Sequence, residues 1–130
     1  MSTRREARER ALGLEYESEQ RGVRAGDLLA ELPVPPDAYA EAIVRGIDEH
    51  RDEIDALLRK YSEHWALERM PAVDRALLRI GVFELAWMPE IPTGVVISEA
   101  VELAKHYSTK DSGRFVNGLL ARIADELRSA

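Results

Sequence analysis

Apolar residues recur along most of this chain at the three-to-four-residue spacing of amphipathic helices. The first such segment runs from about residue 3 to residue 20. Its apolar face consists of Ala7, Ala11 and Leu14. Thr3 and Glu6 have the spacing of a capping box, which predicts that the helix begins there. Strand signals are nearly absent, because the one β-branched cluster, at 95–97, continues into a segment of helical period.

The remaining segments of helical period are separated by short breaks that contain proline or glycine. Further helices are predicted at about 27–32, 37–61, 71–87, 95–107 and 112–127. Trp65 and Trp87 fit two interpretations, anchors for a partner or core residues, and the core is favoured because small bundles bury most of their large aromatic side chains. The pattern predicts an all-α fold, a compact helical bundle in a single domain.

The last predicted helix carries residues that weaken helices among its apolar positions. Its first part reads KDSGRFVNGLL over 110–120 and contains three poor interior helix formers, Gly113, Asn117 and Gly118. Lys110 and Arg114 lie near the helix N-terminus, where the dipole itself attracts anions. The pattern favours a ligand-facing surface. Phe115 fits either the apolar stripe or a stack on an unpaired base, and the sequence leaves both open.

Charge is distributed unevenly along the 130 residues. The net charge is −6, which argues against nonspecific binding of nucleic acid by the whole surface. Residues 1–26 carry a net +1, residues 27–104 a net −9 and residues 105–130 a net +2. If the two ends meet in space, they form a local cationic patch on an acidic body.

The composition also narrows the compartment and the chemistry. There is no cysteine, so disulfides and thiolate chemistry are excluded, and a reducing cytoplasm is expected. No segment has the length of a membrane helix or the pattern of a signal peptide. The three histidines lie on separate predicted segments, and neither a Walker loop nor an HExxH motif occurs. We therefore expect neither an enzyme nor a bound metal or cofactor.

The arginines of the first helix support two interpretations. Arg4, Arg5, Arg8 and Arg10 fall within seven residues, and Arg4 and Arg8 share a face. A short, terminal, arginine-rich helix is the usual form of an RNA-binding arm. Glu6 and Glu9 are interspersed, so a salt-bridged surface helix explains the same residues. Composition alone supports the RNA-binding arm and the salt-bridged surface helix equally.

Four blocks of sequence carry a family resemblance through their order and spacing. They are ARERALGLEY at 7–16, VDRALLRIGVFEL at 73–85, IPTGVVISEAVELAKHY at 91–107 and DSGRFVNGLL at 111–120. The last two are the most specific. On these blocks the chain resembles the NusB family of bacterial transcription antitermination factors over nearly its whole length.

The resemblance implies about seven helices in two subdomains, here about 1–62 and 63–130, and no catalysis. It also implies binding of boxA, a short single-stranded RNA element in ribosomal RNA leaders. The family binds boxA together with NusE, a small-subunit ribosomal protein, within the transcription elongation complex of RNA polymerase and other Nus factors. The result is processive transcription of ribosomal RNA.

The resemblance also assigns roles to particular residues. The residues expected to bind RNA are Arg4, Arg5, Arg8, Arg75, Arg79, Asp111, Arg114, Phe115 and Asn117, and Lys110 joins them by its position at the helix start. The residues expected to bind the protein partner are Tyr16, Asp74 and Leu77.

Two departures from the family pattern precede that tyrosine. Gly13 and Glu15 replace the longer polar and apolar residues usual there. Glycine should weaken the first helix by ~1 kcal/mol relative to alanine. The helix also has only two adjacent arginines, Arg4 and Arg5. We therefore expect weaker RNA affinity alone and greater reliance on NusE.

Two alternatives stay open. NusB-like domains also occur fused to RNA methyltransferases as modules that guide an RNA substrate. A helical bundle that binds proteins or forms a homodimer explains the arginines as surface salt bridges and predicts no RNA preference.

Overall fold

A computed structural model describes residues 3–128, and within this range the chain forms seven α-helices and no strand. The helices are α1 (Arg4–Arg21), α2 (Ala25–Glu31), α3 (Ala38–Glu49), α4 (Arg51–Tyr61), α5 (Ala72–Trp87), α6 (Thr93–Tyr107) and α7 (Ser112–Arg128). A 3-10 turn at Leu67–Arg69 precedes α5. The predicted all-α bundle is confirmed.

The capping box at the start of α1 is present. The Thr3 hydroxyl accepts a hydrogen bond from the Glu6 backbone N–H at 3.1 Å, and the Glu6 carboxylate accepts one from the Thr3 N–H at 2.8 Å. Gly22 ends the helix with φ 67°, a left-handed conformation that glycine adopts without strain. Both ends of α1 are therefore set by local sequence.

The single helix predicted at 37–61 is wrong, because the chain bends at His50. This residue has φ −111° and ψ 22°, and it ends α3 and precedes α4. Its ring stacks on Trp87 with 3.9 Å between ring centroids. The bend sends α3 toward α1, whereas α4 packs against α7. The apolar spacing continues across the bend, so the sequence pattern contained no sign of it.

Helix α5 lies at the centre of the bundle and packs against α1, α3, α4, α6 and α7. Nearly all of its faces are buried, and its buried polar residues are Asp74, Arg79 and Glu84. Because α5 contacts helices on both sides of residue 62, it connects the two predicted halves of the chain. The division into two subdomains stays a prediction.

Of the two tryptophans expected in the core, Trp87 packs against it and Trp65 does not. Trp87 is half-buried between His50 and Phe83. Trp65 is 38% exposed, and its ring contacts Phe115 edge-to-face at 5.1 Å between centroids. For Trp65 the expectation of a core position is wrong, because more than a third of the residue stays exposed to solvent.

Candidate RNA and protein interfaces

The N-terminal turn of α1 presents two exposed arginines. Arg4 lies over the ring of Tyr39, with 4.6 Å from its guanidinium carbon to the ring centroid. Arg5 donates from Nε to Glu99 of α6 at 3.1 Å and pairs with the second carboxylate oxygen through Nη2. This bond lowers the pKa of the Glu99 carboxyl. The Arg5 side chain is still 56% exposed, so it can meet a phosphate.

Arg8 has a different environment from the two arginines before it. It is 3% exposed, and its Nε lies 3.0 Å from both carboxylate oxygens of Glu84, which is itself buried in α5. The hydroxyl of Tyr39 donates to the same carboxylate, and burial, followed by this bond to Glu84, raises the tyrosine pKa. Arg8 therefore links α1 to α5 and has no free surface for RNA.

The two arginines of α5 are also fully engaged. Arg75 binds Glu19 of α1 and donates to the backbone carbonyls of Leu67 at 3.1 Å and Glu68 at 3.2 Å. Arg79 is 7% exposed and binds Asp55 of α4 through two bonds of 2.9 and 3.1 Å. These contacts join α5 to α1 and α4, so neither guanidinium is available for RNA in this structure.

Arg75 and Arg79 of α5 lie far from the N-terminal arginines, because the residue of α1 that they bind is near the other end of that helix. Glu19, which binds Arg75, lies fourteen residues after Arg5, or roughly 21 Å along a helix. The bond from Arg75 lowers the pKa of the Glu19 carboxyl. The structure thus does not bring Arg75 and Arg79 together with Arg4 and Arg5.

Asp74 and Leu77 lie beneath the surface. Asp74 is fully buried and accepts hydrogen bonds from the hydroxyls of Ser108 and, at 2.9 Å, Ser112. Leu77 is 1% exposed and belongs to the core. Neither side chain offers a surface to a partner. Asp74 instead holds the turn between α6 and α7, which positions the residues that follow.

That turn and the start of α7 form the second exposed cationic region. A groove of about 390 Å³ lies between α6 and α7, and its lining includes Lys105, Lys110, Asp111, Arg114 and Asn117. Lys110, Arg114 and Asn117 are exposed, and their side chains have no hydrogen bond or ion pair with another described residue. The groove therefore offers unpaired donors to a ligand.

The residues of α7 that weaken helices have different environments in the structure. A side chain at Gly113 would place its Cβ 3.2 Å from Lys105, so this glycine allows α6 and α7 to pack closely. Gly118 and Asn117 are exposed, and a Cβ at Gly118 would meet nothing within 4 Å. Phe115 is half-buried and packs against the core and against Trp65, and its stacking on an unpaired base stays a prediction.

The two cationic regions lie on either side of α6. Arg5 reaches Glu99 from the α1 side, whereas Lys105 lines the groove on the α7 side. Between them His106 lines a small cleft with Arg5, Tyr107 and two glutamates, Glu9 and Glu102. We call these exposed residues the α1–α6–α7 surface: Arg4, Arg5, Lys105, His106, Lys110, Asp111, Arg114 and Asn117.

Sequence reasoning missed Lys105 and Arg122 as candidate residues, and it considered Trp65 only as a core residue or a partner anchor. Arg122 is exposed, lies two turns after Arg114 on α7 and has no partner among the described residues. Its spacing of eight from Arg114 was the signal that could have identified it. Lys105 and Trp65 are placed beside the site by tertiary packing, which no local pattern reports.

An apolar groove lies on another face, beside Tyr16. It measures about 410 Å³ and is lined by Glu9, Leu12, Gly13, Tyr16, Val73 and Tyr107. Tyr16 is 42% exposed and Tyr107 is 47% exposed. The Tyr107 hydroxyl donates to Glu9 at 2.6 Å, which fixes one wall of the groove. Large, half-exposed aromatic side chains around an apolar floor are typical of protein interfaces.

Neither a metal site nor a membrane-spanning helix is found in the described part of the chain. Among residues 3–128, no group of three or more histidine, aspartate or glutamate side chains is arranged to hold a metal ion. No helix in the same range is long and apolar enough to cross a membrane.

Comparison with known proteins identifies relatives over almost the full chain. The model of the NusB family matches residues 5–125. A protein of Kineococcus radiotolerans named transcription antitermination protein NusB is 49% identical, and the match covers 96% of this chain and 95% of the relative. A protein of the same name from Clavibacter sepedonicus is also 49% identical, over 95% of this chain and 97% of its own length.

Solved structures agree in fold. NusB of T. maritima has a TM-score of 0.87 at 39% identity, covering 96% of this chain and 92% of that one. A chain from a structure of antitermination factors NusB and NusE in complex with dsRNA has a TM-score of 0.79 at 30% identity. That match covers 95% of this chain and 96% of the other.

Proposed function

The chain belongs to the NusB family, and from this premise we propose that it is a transcription antitermination factor that binds boxA-type single-stranded RNA together with NusE. The observation that carries the proposal is the α1–α6–α7 surface, where exposed arginines and lysines stand on an otherwise acidic protein. The related structure of NusB and NusE in complex with dsRNA supports a pairing of NusE and RNA as partners.

RNA binding would begin with the phosphates. Arg5, Lys110 and Arg114 supply exposed positive charge, and the N-terminus of α7 adds the helix dipole beside Lys110. Asn117 offers both a donor and an acceptor, which suits the polar edge of an unpaired base. The half-buried ring of Phe115 and its neighbour Trp65 offer aromatic surface for stacking.

Arg8, Arg75 and Arg79 act in this proposal as positioning residues. Their guanidinium groups hold α1 and α4 against α5, so they fix where the N-terminal turn of α1 stands relative to α6. A buried pair of this kind is destabilising to break, because the remaining carboxylate loses its partner. Their loss should therefore act on the fold first and on RNA second.

NusE would occupy the apolar groove beside Tyr16. The exposed rings of Tyr16 and Tyr107 supply contact area, and Val73 and Leu12 supply the apolar floor. Leu77 and Asp74 stand behind this face and keep it in shape. The RNA and protein surfaces are thus adjacent but different, and the wider partner would be the elongation complex of RNA polymerase in the cytoplasm.

No catalytic step belongs to the proposal. The factor would act by binding alone, and with only two adjacent arginines at its N-terminus it would bind RNA weakly by itself. NusE should then raise the RNA affinity by binding the same complex.

One titration tests the function. Fluorescent boxA RNA and a scrambled RNA of equal length are each titrated with the protein, in the presence and absence of NusE. We expect preference for boxA and a marked gain in affinity with NusE. Equal affinity for the two RNAs in both conditions would contradict the proposal and favour a bundle that binds only proteins.

A further inference from the structure

Gly13 occupies an unusual place in the molecule. It lies in the tenth position of the eighteen-residue helix α1 and is exposed. Glycine in a helix interior is destabilising relative to alanine, because it loses more backbone freedom on folding. A residue with this penalty calls for a compensating reason.

No reason is found within the described part of the chain. A Cβ at Gly13 would meet no atom within 4 Å, and its φ lies outside the left-handed region, where only Gly22 is found among the described residues. Gly46 and Gly81 are the contrasting cases. A Cβ there would stand 2.0 Å from Phe83 and 2.7 Å from Leu120, so internal packing requires those two glycines.

The missing side chain instead opens the apolar groove beside Tyr16. Gly13 lines this groove together with Leu12, Tyr16, Val73 and Tyr107. Without a Cβ at this position, the backbone of α1 itself forms part of the groove floor. A partner group can then approach the helix axis more closely than it can over any other residue type.

We propose that Gly13 is a specificity-determining residue for the protein partner, which inserts an apolar side chain against the bare α1 backbone between Tyr16 and Val73. The inference rests on the proposed function, since it assigns the groove to NusE. The apolar lining fits an apolar side chain, and the Glu9 carboxylate at the rim fits a donor beside it.

The test uses two variants of the full chain, Gly13→Ala and Gly13→Gln, with Gly118→Ala as the matched control. Gly118 is likewise exposed and lies within a helix, and a Cβ there would also meet nothing within 4 Å, but it stands on α7, away from the groove. All three changes should raise the melting temperature by about 2 to 5 °C, because each replaces a helical glycine.

Binding of NusE, measured by calorimetry without RNA, should separate the variants. We expect Gly13→Ala to weaken it about threefold to tenfold and Gly13→Gln by more than tenfold, since added bulk overfills a complementary contact. Gly118→Ala should leave it unchanged. A variant that becomes more stable while its binding weakens shows that the glycine serves the partner.

A third variant separates failure of this inference from failure of the proposed function. Tyr16→Ala should abolish or greatly weaken NusE binding if the groove is the NusE site. Normal binding by both Gly13 variants, together with a loss in Tyr16→Ala, would overturn the role of Gly13 alone. Normal binding by all three variants would overturn the assignment of the groove to NusE.

Discussion

At the scale of single residues, the arginines of this chain divide by what their guanidinium groups contact. Arg8 and Arg79 are buried against carboxylates, whereas Arg114 and Arg122 are exposed and unpaired among the described residues. The sequence identified an arginine-rich N-terminus but could not sort its members, because burial depends on Glu84, which lies 76 residues after Arg8. The RNA-binding role of the site stays a prediction, and the structure removes the buried arginines from its exposed members.

Removing Arg8 should destabilise the fold more than it weakens RNA binding. We expect Arg8→Ala to lower the free energy of unfolding by about 3 kcal/mol, because Glu84 is left buried without its main partner. Arg5→Ala should lower it much less, since the Arg5 side chain is 56% exposed and solvent screens its pair with Glu99, but should weaken RNA binding. Urea unfolding and an RNA titration of both variants check this. Equal stability of the two variants would contradict the structural role of Arg8.

Glu15 makes stability depend on pH. It is 5% exposed, its Oε1 has no hydrogen-bond partner, and burial raises its pKa to about 7. Arg51 and Arg79 lower that pKa and Asp48 and Asp55 raise it, but burial is the largest influence. The folded protein therefore holds a proton that the unfolded chain releases near pH 4.5. The stability from this group is complete below pH 4.5 and is lost as pH rises through about 7.

The variant Glu15→Gln should remove this dependence. At pH 8 it should raise the free energy of unfolding by up to about 3 kcal/mol, the free energy that corresponds to a rise of the Glu15 pKa from 4.5 to about 7. Urea unfolding between pH 5 and pH 8 measures the slope, with the exposed Glu17→Gln as control. A slope that survives in Glu15→Gln would show that another group is responsible.

At the scale of elements, the ends of α1 could be predicted from nearby residues, whereas the change of direction between α3 and α4 could not. The capping box of α1 and the glycine after it could be predicted, since both act within one turn. The bend at His50 could not, because the apolar spacing continues across it and the ring that His50 stacks on, Trp87, belongs to α5 and is distant in sequence. The glycines of α7 likewise needed the structure: Gly113 faces α6, whereas Gly118 faces solvent.

Because α3 packs closely on α5, replacing a glycine at their contact should destabilise the fold, whereas replacing an exposed helical glycine should stabilise it. Gly46→Ala should destabilise the fold by about 1 to 3 kcal/mol despite the better helix former, because its Cβ would collide with the Phe83 ring. Gly118→Ala should instead stabilise it by up to about 1 kcal/mol. Thermal unfolding of both variants checks the pair. A stabilised Gly46→Ala would mean that the helices are not packed so closely.

At the scale of the whole molecule, the acidic net charge repels RNA, whereas the cationic surface attracts it. A protein of net charge −6 repels RNA except where positive side chains gather, so binding should be confined to the α1–α6–α7 surface. The sequence showed that both chain ends are mildly basic. Only the structure shows that α6 stands between them and that Glu99 restrains Arg5 from that side.

The most direct test of this account is the salt dependence of boxA RNA binding in the presence of NusE. The double variant Lys110→Ala, Arg114→Ala is compared with the unaltered protein and with Arg45→Ala, an exposed arginine paired with Glu41 on α3. Loss of two phosphate contacts should make the slope of log K against log salt shallower by about 1.4, and Arg45→Ala should not change it. A slope unchanged in the double variant would contradict the assignment of RNA to this surface.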